Sequence, residues 1–186
     1  MSIKYFYTDS GSNWTMNSLN ILLPYPFVIK SIELNWYDIS FAVSNGFLSH
    51  QDAVEHAIQE LSLVENPSTD VLSLAILTPA EAIYPHSIQP YLENLASSVA
   101  EQDKKTAKQK ILYLVLKWIF EHQVDFKDPL ETMEFIYADF DYPDSISHFI
   151  RYKPPLNSNS EILNTEELFK RLNCFLQEQK KLYEKS

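Results

Sequence analysis

Residues 111–122 read ILYLVLKWIFEH, and their spacing predicts a helix with two apolar faces. Ile111, Leu114, Val115, Trp118 and Ile119 share one face at three- and four-residue intervals, while Leu112, Leu116 and Phe120 cover a second. A helix that is apolar on two sides must be packed on two sides, so it is expected at the centre of a helical body. His122, at its end, would interact favourably with the negative pole of the helix dipole.

Further helices can be read upstream of this segment. Trp36, Ile39, Val43 and Phe47 sit at helical spacing, and Asn45-Gly46 supplies a stop. Ser49-His50-Gln51-Asp52 resembles a capping box with Asp in place of Glu, launching Ala53, Ala57, Leu61 and Val64 before Asn66-Pro67 ends the helix. Ser68 or Thr69 can cap a short segment reaching Ile76. Thr78-Pro79-Ala80-Glu81 places proline at the first position of another helix, whose unbroken length Pro85 and Pro90 limit. Residues 97–108 are polar and read as a loop or an exposed first turn.

Downstream, Asp128-Pro129-Leu130-Glu131 opens a helix through Met133 and Ile136, and a polar loop fills 153–164. Asn164-Thr165-Glu166-Glu167 then caps a last helix with Leu168, Leu172, Phe175, Leu176, Leu182 and Tyr183 on one stripe. Residues 1–18 lack a helical period, Ser10-Gly11-Ser12-Asn13 reads as a turn, and Pro24 and Pro26 push their predecessors towards extended geometry. The expected fold is all-α: a single domain with an extended or irregular segment over 1–34 and, over 35–183, an irregular array of about seven to nine helices without a fixed repeat.

Composition agrees with this fold class. Two glycines against ten prolines leave little material for left-handed turns, which argues against a protein built of β-hairpins. Apolar residues at 45% exclude disorder. The net charge of −10 disfavours nucleic acid as a ligand and favours a basic partner. The apolar run from Leu19 to Ile29 is interrupted by Pro24 and Pro26 and is too short to span a bilayer. No signal peptide is evident in MSIKYFYTDSGSNW, and the one cysteine cannot form an internal disulfide, so a cytoplasmic location is expected. That cysteine, Cys174, lies between Leu172 and Leu176 and reads as a packed thiol.

The chemistry-bearing stretch is 136–155, IYADFDYPDSISHFIRYKPP. Asp139, Asp141 and Asp144 alternate with Tyr137, Phe140 and Tyr142, and Pro143 stops the helical pattern. Aromatics at this density belong in a core and unpaired aspartates do not, so the stretch must lie where a core meets solvent or a partner. As a metal site it lacks the glycine and the later bidentate glutamate of a calcium loop. A catalytic carboxylate pair would need a pocket with polar companions. The histidines at 50, 56, 86, 122 and 148 show no metal-ligand spacing, and the lysines at 104, 105, 108 and 110 read as a solvated basic face. Residues 125–150 hold Asp125, Asp128, Glu131, Glu134, Asp139, Asp141 and Asp144 against Lys127 alone, seven minus one giving a net −6. This is a surface suited to steering a basic partner. Arg151 could pair with one of these acids and weaken it.

The run Tyr137-Ala138-Asp139-Phe140-Asp141-Tyr142-Pro143, followed by Phe149-Ile150-Arg151-Tyr152 and a proline, resembles the signature of a bacterial family of unknown function. Members of that family accompany toxin genes in polymorphic-toxin and contact-dependent-inhibition loci. Leu34-Asn35-Trp36, Asn45-Gly46-Phe47-Leu48 and Leu116-Lys117-Trp118-Ile119 extend the likeness over roughly 30–155. Lys153 departs from it, standing where a methionine is expected. The resemblance implies a toxin-immunity role and supplies no catalytic residues; with the acidic balance, the expectation is a protein that binds a cognate basic toxin domain, a nuclease, one to one and occludes its active site, with no cofactor and no catalysis of its own. Glu131, Glu134, Asp139, Asp141, Tyr142 and Asp144 are the expected partner-binding residues. Two alternatives stand beside it: an enzyme using Asp139, Asp141 and Asp144, with or without a divalent metal, and a general adaptor.

Overall fold

The computed structural model describes residues 16–151 and 164–183. The turn expected at Ser10–Asn13, Tyr152 and most of the polar loop expected after it lie outside this range. Within it there are ten α-helices, two short 3-10 helices and no strand.

Caps written in the sequence start most of the helices. Helix α1 (Tyr25–Ser31) begins at Pro24, with Pro26 inside its first turn. Extended geometry was the expectation here, and the structure corrects it. The first helical turn has no amide partner to lose, and proline's fixed φ already suits it, so these prolines start a helix instead of preventing one. In α2 (Trp36–Ser44), Asn35 and Asp38 exchange side-chain-to-backbone hydrogen bonds as a capping box, and Ser49 and Asp52 do the same for α3 (His50–Leu61). α3 stops at Leu61, short of the Asn66-Pro67 break read from the sequence, which leaves Val64 beyond its end.

Ser68 caps α4 (Thr69–Ala75), and Thr78 with Glu81 boxes the single turn of α5 (Pro79–Ala82). Pro85 ends that turn and opens α6 (Pro85–Ser98), which carries Pro90 in its interior and so lacks one main-chain hydrogen bond there. A one-turn α7 (Glu101–Lys104) precedes α8 (Ala107–Glu121), and a 3-10 turn at Gln123–Asp125 follows. The carboxylate of Asp128 accepts from the Leu130 and Glu131 amides at the start of α9 (Pro129–Asp139). A second 3-10 helix, Asp144–Phe149, leads to Ile150, and α10 (Thr165–Tyr183) closes the described chain.

α8 is the centre, as its sequence predicts. Residues 111–116 are buried without interruption, so the helix is enclosed on every side along that stretch. It packs against α2, α9 and α10, and α2 in turn packs against α3 and α6, with α4 closing over α3 and α6. One apolar core runs through both groups, from Ile21 and Leu23 to Phe175 and Leu176. On α10 the buried stripe is Leu168, Leu172, Phe175 and Leu176, while Leu182 is exposed. Cys174 is exposed too, correcting the packed-thiol expectation. Two residues past Leu172 is a rotation of about 200°, which turns its thiol away from the core.

Candidate functional site

The 136–151 stretch lies where the core meets the surface. Tyr137 and Phe140 are fully enclosed, Ile146 and Phe149 anchor the 3-10 helix behind them, and Tyr142 is 59% exposed with its ring edge-on to Tyr137 at 5.2 Å. The helix stops at Asp139, before Pro143 can act. Asp141 and Tyr142 both take left-handed backbone angles, φ 63° and 54°, and the Tyr142 amide donates to the Tyr137 carbonyl. Left-handed turns are thus made without glycine here, although glycine scarcity suggested they would be rare.

Several of the expected partner-binding acids have partners within the chain. Arg151 donates to Glu134 through Nε at 2.8 Å and to Asp128 through an Nη at 2.8 Å, so one guanidinium holds one of them together with the neighbouring Asp128. These hydrogen bonds, with those from the Leu130 and Glu131 amides, keep the Asp128 carboxyl below its usual range, and the two carboxylates raise the Arg151 pKa. Lys108, reaching across from α8, pairs with Asp141. Asp139 accepts from the backbone and the hydroxyl of Ser18, at 2.8 and 2.9 Å, tying the start of the described chain to the end of α9. Glu131, Tyr142 and Asp144 are exposed. The three aspartates therefore do not converge on one point. Among the described residues, no group of three His, Cys, Asp or Glu side chains is placed to hold a metal ion. A groove of about 270 Å³ beside this corner runs between Lys108 and Leu112 on α8 and Phe140, Asp141 and Pro143.

A second surface was missed in the sequence, although its signal is there. From Ser31 to Asp103 there are eleven Asp or Glu and no Lys or Arg. The rest of the chain balances, with 15 basic and 14 acidic residues, so the whole net charge of −10 comes from this run. It folds into α2–α6 and most of α7, and of these helices α2 packs against α8. There a groove of about 290 Å³ opens between the end of α1 and the end of α3, lined by Ile29, Glu33, His56, Glu60, Leu63 and Val64 among others. Leu63 is 75% exposed, and Ile29 and Val64 are exposed as well.

Three of the groove's polar residues, His56, Gln59 and Glu60, are held by aromatic side chains outside its lining. The Trp36 indole N–H donates to Glu60 at 2.7 Å, and its ring meets His56 edge-on at 4.7 Å. The Tyr25 hydroxyl lies 2.9 Å from His56 Nδ1 and donates to Gln59 at 2.7 Å. Burial lowers His56 to about 4 and raises the Tyr25 hydroxyl. The imidazole is therefore neutral at pH 7 and adds no positive charge to this rim.

A comparison with known families matches residues 25–180 to the family described as uncharacterised proteins conserved in bacteria, DUF2247. The chain belongs to that family. Neither the curated proteins nor the solved structures compared with it gave a match. No helix among the described residues is long and apolar enough to cross a membrane.

Proposed function

We propose that the protein acts by binding, as a cytoplasmic immunity protein that holds a cognate basic toxin domain, a nuclease, in a one-to-one complex and covers its active site. The observation that carries this reading is the segregation of charge: eleven acids and no lysine or arginine across 31–103. That run surrounds a groove in which Leu63, Val64 and Ile29 stay exposed. A base-free acidic field attracts a cationic surface over nanometre distances, and exposed apolar groups supply the short-range contact that holds it. The immunity role itself rests on the likeness of the 137–152 signature to proteins accompanying toxin genes. Glu131 and Tyr142 form a second contact at the α9 corner, while Glu134 and Asp141 spend much of their charge on Arg151 and Lys108.

The test pairs the purified protein with the basic C-terminal domain encoded beside it, by calorimetry and by residual toxin activity. A one-to-one complex that abolishes activity is the expected result, and no binding or undiminished toxicity overturns the proposal. Within a positive result, Leu63→Arg with Val64→Arg is expected to weaken the complex at least 100-fold, and Glu131→Lys with Tyr142→Ala about tenfold. The reverse ranking would move the interface to the α9 corner.

A further inference from the structure

The tautomer of His56 is fixed by its neighbours. The Tyr25 hydroxyl has one hydrogen and gives it to Gln59, so the proton between Tyr25 and His56, 2.9 Å apart, belongs to Nδ1 of the imidazole. A neutral imidazole carries one such proton, which leaves Nε2 with a bare lone pair. Among the described residues Nε2 meets no donor. Tyr25 stands outside the groove lining and His56 within it, so the Nε2 edge is the part of the ring left for the groove.

Two further features of this groove favour a cation. Glu60 accepts from the Trp36 indole through one carboxylate oxygen. Among the described residues the other oxygen takes no hydrogen bond, and no lysine or arginine pairs with this side chain. Helix α3 ends here with no basic residue in its last turn, so its own side chains leave the negative pole of its dipole uncompensated. Around these acceptors the walls are apolar, with Ile29, Leu63 and Val64 exposed. An ammonium, strongly hydrated, gains little from such walls. A guanidinium is weakly hydrated, holds its donors in one plane, and rides on methylenes that apolar walls can cover.

We propose, on the footing that this groove is where the basic partner binds, that it takes one arginine side chain of that partner, with the guanidinium donating to Glu60 and to Nε2 of His56 and the methylenes lying against Ile29, Leu63 and Val64. Burial keeps the imidazole neutral, so at pH 7 it accepts from the arginine instead of repelling it.

Heteronuclear NMR of the whole protein tests this with acetyl-arginine methylamide as the probe. The Trp36 indole N–H already touches Glu60 and so reports on that carboxylate, and Trp36→Phe assigns its signal. The expected result is a saturable shift of that signal, with the neutral acetyl-citrulline methylamide binding about tenfold more weakly. The shift should be lost in Glu60→Gln, whose amide oxygen can still accept from Trp36. It should be kept in Glu93→Gln, which removes the same charge from an exposed position on α6. Leu63→Lys, at a position 75% exposed, should abolish it by setting a cation at the groove. No saturable shift, an equal response to citrulline, or a response that survives in Glu60→Gln overturns the proposal. Arginine binding without a toxin complex overturns the immunity role alone, and a toxin complex without an arginine response overturns the arginine site alone.

Discussion

Asp38 is fully buried, and its two oxygens fare differently. Oδ2 accepts from the Asn35 amide and from Lys110 at 2.6 Å, while Oδ1 accepts no hydrogen bond. Burial pushes its pKa up, against the opposing pull of Lys110 and the amide. Removing one member of a buried pair strands the other, so Asp38→Ala should cost about 3–5 kcal/mol in urea unfolding. A loss under about 1 kcal/mol would mean that Lys110 finds water instead. His56 gives the pH counterpart. Its folded pKa of about 4 lies below the ordinary 6.5, so the unfolded chain binds the proton more readily. The stability that follows is present above pH 6.5 and is lost as pH falls towards 4, about 3 kcal/mol in all. His56→Gln cannot titrate, and its urea midpoint should fall less than the parent's between pH 7 and 4.5. Neither environment could be read from the residue itself: both groups are polar letters whose neighbours come from other helices.

Among the elements, the end of α9 carries local strain, with two consecutive left-handed residues and no glycine. Asp141→Gly should relieve about 1 kcal/mol of it, seen as a higher Tm. The pair it gives up with Lys108 is largely solvated and contributes little. Gly46, by contrast, uses its freedom at φ 75°, and Asn17 donates to its carbonyl at 2.9 Å. Gly46→Ala should therefore lower stability by about 1–2 kcal/mol, measured by urea unfolding. The starts of α2 to α5 and of α9 were legible because Asn35, Ser49, Ser68, Thr78 and Asp128 act on amides two or three residues away. The end of α3, and α1 between two prolines, were not. Those depend on what the helix packs against, which no local signal states.

At the scale of the whole molecule, charge is divided between two halves that meet at α2. If the base-free half steers a cationic partner, the association rate should fall at least tenfold between 20 and 200 mM salt by stopped-flow, with the dissociation rate nearly unchanged. Arg151→Ala, freeing Asp128 and Glu134, should raise that rate slightly if the α9 corner takes part and leave it alone if only the groove does. The sequence by itself determined the all-α class, the central position of residues 111–122, most helix starts, and the base-free run across 31–103. These follow from periodicity, capping and composition, all properties of neighbours along the chain. Tertiary structure alone decided which acids keep their charge for a partner. Arg151 lies 17 and 23 residues from the acids it holds, and Lys108 lies 33 from Asp141. Charges neutralise through space at a few ångströms, and only the folded chain says which ones have come that close.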